Sequence, residues 1–269
     1  MMKNKVAILT TIFPANQLYI ITFFDSLQQQ TYRDFDIVVV NDGFDGFEDI
    51  VRRYSQELSI IELKYSNTPA KNREWGINYC IEKAYDVLIF GDSDDYFAKN
   101  RIEKSLELLE DNDIVVNDLS LFDENGIYDE GYLSNRVRNR QIIDFEFIKD
   151  KNIFGLSNSA MGLKCLDKIL IDENILAVDW YIFAHMLLDD KKAIFTNETV
   201  SYYRQHEKNM VGFRQLTEVV FQKSLYVKRK HYESLMQVYP QYILELEKLN
   251  DIGFADLRHI NYPLWWELI

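Results

Sequence analysis

The sequence predicts an α/β fold built on a largely parallel sheet with helices on both faces. Short runs that are apolar throughout recur along the first 118 residues, helical stretches of about ten residues or more separate them, and turn-forming clusters lie between. Residues 6–10 read as the first strand and residues 16–29 as a helix, followed by a strand at 36–40. After Asn41-Asp42-Gly43 come a helical pattern at 47–57, a strand at 60–65, a helix at 70–83 and a strand at 86–90. A helix at 101–110 leads to a strand at 114–117. The alternation then breaks: residues 119–122 and 127–133 flank Asn125-Gly126, a strong hairpin signal. Residues 177–188 read as a helix and 199–204 as a strand, and from about residue 214 the chain is helical with an interruption at Tyr239-Pro240. No repeat, low-complexity tract or Gly/Ser linker occurs, so the parts are expected to share an interface rather than move on a tether. The expected division is residues 1–118 as one α/β half, 119–212 as a smaller mixed half of the same domain, and 213–269 as a helical C-terminal extension.

Composition bounds the function. The chain has 269 residues, 47% of them hydrophobic and 14% aromatic, which is enough apolar surface for a sizeable core. Lys plus Arg number 30 against 43 Asp plus Glu, a formal net charge of -13, so a polyanion would be repelled and nucleic acid is not an expected partner. Cys80 and Cys165 form neither a zinc spacing nor a disulfide framework, which fits a reducing compartment such as the cytoplasm. Lys3 and Lys5 before Val-Ala-Ile-Leu resemble a signal-peptide start, but the apolar run is short and lacks a small-residue cleavage site, so it reads as a strand. No stretch reaches the roughly 18–20 apolar residues of a membrane span, and a soluble or peripheral protein is expected.

The most informative segment is Val87-Leu-Ile-Phe-Gly-Asp92-Ser-Asp94-Asp95, an apolar strand that delivers three carboxylates at its C-terminal end. Ligands of open parallel sheets bind at that edge, and carboxylates on alternate residues suit a hard divalent cation together with sugar hydroxyls. A solvated acidic turn is the plain alternative. At a second strand end, Asp42 of Asn41-Asp42-Gly43 is placed to accept an N–H from a base, although an Asx-turn or helix cap accounts for it equally well. At a third, Thr10-Thr11-Ile12-Phe13-Pro14 offers hydroxyls and an aromatic ring that can frame a nucleobase, with Thr11 and Phe13 as the candidates. The three strand ends would converge on one crevice.

Taken in order, these residues resemble the family 2 glycosyltransferases of GT-A fold, over residues 5–212. Val6 to Phe13 resembles the opening strand and nucleotide-contacting turn. Phe23-Phe-Asp-Ser-Leu-Gln-Gln-Gln-Thr-Tyr-Arg-Asp-Phe-Asp-Ile is similar to the following helix and its connection, and Val38-Val-Val-Asn41-Asp42-Gly43 to the segment usually written VVDDGS. Asn67 to Ile77 is similar to the N-x-G…ARN-x-G segment, and Asp92-Ser-Asp94-Asp95 to the D-x-D-D metal motif. Val178-Asp179-Trp180 falls where the family has its Glu-Asp base motif, and Tyr203-Arg204-Gln205-His206 resembles a YR-x-H segment. The departures are Pro14 for Asn, the missing glycine of N-x-G, Glu74 for the Asn of ARN-x-G, and Val178 for the first acid of the base motif.

The resemblance implies a Rossmann-like nucleotide-sugar half, a mixed acceptor-binding half, and inverting transfer of a sugar from a nucleotide diphosphate to a hydroxyl. Asp179 would be the general base; Thr11, Phe13, Asp42 and Asp92 would bind the nucleotide. Asp94 and His206 would hold a divalent cation, manganese or magnesium. The implied partners are a nucleotide-sugar donor, with UDP-sugars favoured, and a glycan or lipid-linked acceptor in surface polysaccharide synthesis of the bacterial type. The place of action would be the cytoplasm or the inner face of the membrane, with peripheral membrane association and homo-oligomerisation both open.

Two other classes share parts of this pattern. A non-catalytic sugar-nucleotide-binding module would keep Asp42 and Asp94 without needing a base. A haloacid-dehalogenase-like phosphatase also carries Asp-x-Asp after a strand, but near its N-terminus and followed by Thr or Val, whereas here Asp95-Tyr96 follows. Elsewhere the plainer readings are preferred. Lys228-Arg229-Lys230-His231 reads as a solvated helix face, and the aromatic residues 262–266 read as packing or a dimer contact; for Asp179 a helix cap is the plain alternative to the base.

Overall fold

A computed structural model describes residues 4–164, 166–205 and 217–254. The elements are β1 (Val6–Ile12), a 3-10 turn (Pro14–Leu18), α1 (Ile20–Gln28), β2 (Asp36–Asn41), α2 (Phe47–Tyr54), β3 (Ser59–Lys64), α3 (Pro69–Glu82), β4 (Val87–Phe90), β5 (Tyr96–Phe97) and α4 (Arg101–Leu108). They continue with β6 (Ile114–Asp123), β7 (Gly126–Asp129), β8 (Ile142–Ile143), α5 (Phe145–Ile148), β9 (Ser159–Gly162), α6 (Val178–Leu188), β10 (Ala193–Arg204), α7 (Glu218–Leu235) and α8 (Tyr242–Asp251).

Among the described residues, ten strands form one sheet in the order β3-β2-β1-β4-β9-β6-β10-β5, with β7 on β6 and β8 on β10. Strands β3, β2, β1 and β4 pair in parallel. Because β9 is antiparallel to both β4 and β6, and β10 is parallel to β6, six strands point the same way. The expected parallel sheet is therefore present, with β9 inserted against the grain. Strand β6 continues through Asp118, so the two halves share a strand.

Among the described residues, the period-2 alternation of strand side chains builds two large cores and a small third cluster of Leu108, Val115 and Ile194. In β1, Val6, Ile8 and Ile12 face the layer of α1 and α2, while Ala7 and Leu9 face the layer of α3 and α6. The larger core also takes in α7 and α8 through Phe221, Tyr232, Leu235 and Tyr242. Local sequence explains α3: Thr68 caps it by accepting from the Lys71 N–H at 3.4 Å, and Pro69 opens its first turn. Gly76 lets α3 lie close on the sheet, since a Cβ there would stand 2.5 Å from Leu9 Cδ1.

Two expectations are corrected. The helix expected from residue 16 is a 3-10 turn followed by α1 from Ile20, and it starts late behind Pro14. In the run Lys228 to His231, Lys228 and His231 are buried, because residues three apart share a helix face and that face of α7 packs on α6. Burial brings the Lys228 ammonium down to about 8. No helix among the described residues is long and apolar enough to cross a membrane.

Candidate active site

The C-terminal ends of β1, β2 and β4 meet at one edge of the sheet, and parallel register puts Ile12 beside Asn41 and Leu9 beside Phe90. Thr11 is buried there, and its hydroxyl has no hydrogen-bond partner among the described residues. Phe13, just beyond, is half exposed. At the end of β2 the turn is set by Asn41, which donates to Phe44 O at 3.1 Å and to Glu62 at 2.6 Å and accepts the Phe44 N–H at 2.8 Å. Gly43, at φ 76°, completes that turn in the left-handed region. With Asn41 committed to the backbone, Asp42 points at α3. The Asn72 Nδ2 donates to Asp42 Oδ2 at 2.9 Å and to Asn67 O at 3.1 Å, while the Asn72 Oδ1 is buried without a partner among the described residues.

The acidic segment after β4 is fixed from several sides. The Asp92 N–H donates to Ser157 Oγ at 3.0 Å, the Ser93 hydroxyl donates to Thr11 O at 2.9 Å, and Arg73 Nη2 donates to Asp92 Oδ1 at 3.1 Å. Arg204 of β10 grips the segment twice: its backbone N–H donates to Asp95 Oδ1 at 2.7 Å and its Nε to Asp94 O at 2.7 Å. Its guanidinium lies over both Tyr19 and Phe122, at 4.4 Å from each ring centroid. The crowding shows in the proton affinities. Removal from water raises the Asp92 carboxyl above its ordinary range, with Arg73 opposing and Asp94 reinforcing. Burial holds Asp95 well above that range, and Asp94 and Asp92 add to the rise.

Beneath this segment lies Arg101, 1% exposed. Its Nη2 donates to Phe90 O at 2.7 Å, its Nε donates to Asn117 at 3.1 Å, and its guanidinium sits 3.9 Å from the Phe97 ring centroid. Burial lowers the guanidinium to about 9, with Asp95 and Asp92 opposing, so it stays charged at neutral pH as a cation under the carboxylates. Replacing Arg101 with methionine is expected to cost about 3 kcal/mol or more, because it orphans buried acceptors and leaves buried negative charge unbalanced. Urea unfolding checks this.

Asp179 stands in the first turn of α6. That turn is seated by Trp180, whose indole donates to Ile148 O at 2.8 Å and stacks on His231 of α7 with ring centroids 3.7 Å apart. Burial pushes the Asp179 carboxyl up to about 6; the Trp180 N–H at 2.8 Å and the Asn152 amide pull it down, and the Asp92 charge pushes it up. Asp92 and Asp179, from opposite halves of the sequence, are therefore electrostatic neighbours. Glu74, at the family's Asn position, accepts the Lys71 ammonium at 2.8 Å and the Ile171 N–H at 2.6 Å, tying α3 to the segment that leads into α6.

Thr11, Phe13, Asp42, Asp92 and Asp94 thus lie at one sheet edge, with Asp179 an electrostatic neighbour of Asp92; His206 lies outside the described residues. The sequence reading missed Asn72, Arg73, Arg101 and Ser157. Asn72 and Arg73 lie inside the 67–77 segment that resembles N-x-G…ARN-x-G and had that signal; Arg101 and Ser157 had none. Among the described residues no group of three or more His, Cys, Asp or Glu is placed to hold a metal by itself. The donor set still suits a hard cation. Mutually repelling carboxylates offer oxygens, and Mg²⁺-type sites take one or two carboxylates plus substrate phosphates and water.

A family model described as glycosyl transferase family 2 matches residues 8–166. An uncharacterized glycosyltransferase of Haemophilus influenzae is 24% identical over 223 residues, covering 80% of this chain and 84% of that protein. The amylovoran biosynthesis glycosyltransferase AmsB of Erwinia amylovora is 30% identical over 99 residues, 34% of this chain and 31% of that protein. Among solved structures, S. aureus TarS 1-349 in complex with UDP-GlcNAc superposes with a TM-score of 0.63 at 16% identity, over 91% of this chain and 72% of that one. At that identity the likeness concerns the fold.

Proposed function

The chain belongs to glycosyl transferase family 2 and has the GT-A fold, and from that premise we propose that it is an inverting, metal-dependent transferase that moves a sugar from a nucleotide diphosphate to a hydroxyl of a glycan or lipid-linked acceptor. The observation that carries this reading is the convergence of Asp42, Asp92 and Asp94 at one sheet edge with Asp179 as an electrostatic neighbour of Asp92. Thr11, Phe13 and Asp42 take the base, and Asp92 takes the ribose, with Arg73 ready to turn from it to the diphosphate. Asp94 would hold a manganese or magnesium ion, together with Asp92 or with His206. When bound, that ion neutralises charge on the leaving diphosphate.

Asp179 accepts the proton of the acceptor hydroxyl. The acceptor oxygen bonds to the anomeric carbon as the bond from that carbon to the diphosphate breaks, so the configuration inverts. Because the base must be ionised, the rate is expected to fall with acid as pH drops through about 6, the value to which burial raises the carboxyl. The chain's proposed place is surface polysaccharide synthesis at the cytoplasmic side of a membrane; the Erwinia relative is named for amylovoran biosynthesis.

A UDP-sugar is the favoured donor, in keeping with the ligand of the S. aureus neighbour. Asp42 accepts the N3–H of a uracil and Phe13 covers its face; guanine, which also presents ring and amino donors, is the second choice. UDP is expected to bind at least about tenfold tighter than ADP, the worth of one hydrogen bond of about 1.4 kcal/mol. Calorimetric titration checks it, and a preference for ADP would remove the base-reading role of Asp42. The donor panel described at the end of the Discussion tests the reading as a whole.

A further inference from the structure

Asp179 lies beyond the residues 8–166 that match the family model, and so do α7 and α8 behind it. The sequence gives α6 a weak start. Its N-cap is Ala177, which offers no side-chain hydrogen bond to the orphan N–H groups of the first turn. One of these, the Trp180 N–H, is taken by Asp179 Oδ1 at 2.8 Å, so the place of the carboxylate depends on where Trp180 is held. Trp180 is fully buried. Its indole N–H donates to Ile148 O at 2.8 Å, its face lies on the His231 ring with centroids 3.7 Å apart and planes at 11°, and Tyr232 meets it edge-on at 6.1 Å. Tyr232 in turn stacks on Tyr242 of α8 at 4.4 Å, and the Tyr242 hydroxyl donates to Lys149 O at 2.8 Å. Helices α7 and α8 therefore clamp both the first turn of α6 and the segment 148–152, whose Asn152 side chain hydrogen-bonds the Asp179 carboxylate.

His231 is the odd member of this cluster. It is 2% exposed, and neither ring nitrogen has a hydrogen-bond partner among the described residues. A buried polar group left unpaired costs about 1–3 kcal/mol, so polar contacts do not account for the ring. Burial holds the imidazole well below its ordinary range, and Lys228 and His185 push the same way, so it is neutral. Its contribution is a flat face laid on the indole. We propose that His231 is a positioning residue for Asp179, its ring setting the first turn of α6 through Trp180 and so the place of the carboxylate that takes the acceptor proton. The role of Asp179 as base rests on the transferase reading; the packing of His231 on the turn that carries it does not.

The test compares His231→Leu, which fills the space without a flat face, with His231→Phe, which keeps one. Two readouts are taken on the full-length protein: hydrogen exchange at the Trp180 backbone N–H, and UDP release from UDP-GlcNAc with manganese, the latter also in Asp179→Asn. Because leucine removes two unpartnered nitrogens, His231→Leu is expected to melt close to the parent. Its Trp180 N–H is expected to exchange at least about tenfold faster as the turn opens locally. Its kcat is expected to fall at least about tenfold with donor KM unchanged, the scale of a small misplacement of a reacting group, and His231→Phe is expected to restore both. Added to Asp179→Asn, His231→Leu is expected to change the rate less than about twofold, since the group through which it acts is already gone. Unchanged exchange at Trp180 in His231→Leu, an equal loss of kcat in His231→Phe, or a full further loss on top of Asp179→Asn would each overturn the positioning role. UDP release at the full rate by Asp179→Asn alone would instead remove the base reading, and the exchange at Trp180, which needs no donor, would then decide whether His231 sets the turn.

Discussion

Replacing Asp94 with alanine is expected to lower sugar transfer by on the order of 10³-fold, the scale of losing a group that stabilises charge developing in a transition state. The chain is strongly acidic, and a diphosphate leaving group adds further negative charge at a place where Asp92, Asp94 and Asp95 already repel one another. A divalent cation held by Asp94, as proposed, would relieve both. The substitution is therefore expected to weaken manganese and nucleoside diphosphate together, since each requires the other. Titration of UDP with and without manganese reads this directly. If Asp94→Asn kept full UDP affinity and full metal dependence, Asp94 would not be the ligand. Arg101 and Arg204 brace the same segment from beneath and from β10, so the loop should keep its fold in the variant, and circular dichroism and melting should match the parent protein.

Asp179→Asn is expected to reduce transfer by about 10²- to 10⁴-fold, the usual contribution of a general base, while leaving donor affinity nearly unchanged. Its effect on stability runs the other way. The folded carboxyl is raised to about 6 from its ordinary value, so the folded state binds the proton more tightly than the unfolded state does. Stability attached to this group is therefore greatest in acid and falls as pH rises from about 4 to about 6. Asparagine removes that dependence, and the variant is expected to melt no lower than the parent at pH 8. The structure makes Ala177 the N-cap of α6 and puts Asp179 inside its first turn, where the side-chain oxygen of asparagine can equally accept the Trp180 N–H, so a purely structural Asp179 would leave the rate unchanged. Full transfer by a folded Asp179→Asn protein would exclude the base role, and lost donor binding would point to a structural one. The acid limb near pH 6 should also disappear from the residual rate.

What the sequence could and could not reveal follows from where the determining forces lie. Strands β1, β2 and β4 each hold an unbroken apolar run of four residues, at 6–9, 37–40 and 87–90, that is buried on both faces, so composition alone marks them. Strand β9, Ser159–Gly162, is only Ser-Ala-Met-Gly, with no apolar run to mark it; it is a strand because it pairs on both sides, with β4 and with β6. Strands β6 and β10 extend well beyond their apolar cores because they pair with each other along most of their length. In the site, the carboxylates at strand ends were legible, because an acid after an apolar strand is a local pattern. Their bracing was not: Arg73, Arg101, Ser157 and Arg204 reach them from four different elements or loops, and no spacing within the chain reports such distances. The same holds for Glu74, a departure from the family pattern that becomes intelligible once its carboxylate is seen on the Ile171 N–H.

The most direct test of the account is release of nucleoside diphosphate by the purified protein from a panel of UDP-, dTDP-, GDP- and ADP-sugars, with and without manganese or magnesium. Slow hydrolysis of a donor gives a signal even before the acceptor is known. Release from a UDP-sugar, dependent on the cation and at least about tenfold slower from the ADP-sugar, is the expected result. Cation-dependent nucleotide binding with no release from any donor, in the presence of candidate glycan acceptors, would contradict it and leave a sugar-nucleotide-binding module. Phosphate release from simple phosphomonoesters in its place would contradict it in favour of a phosphatase.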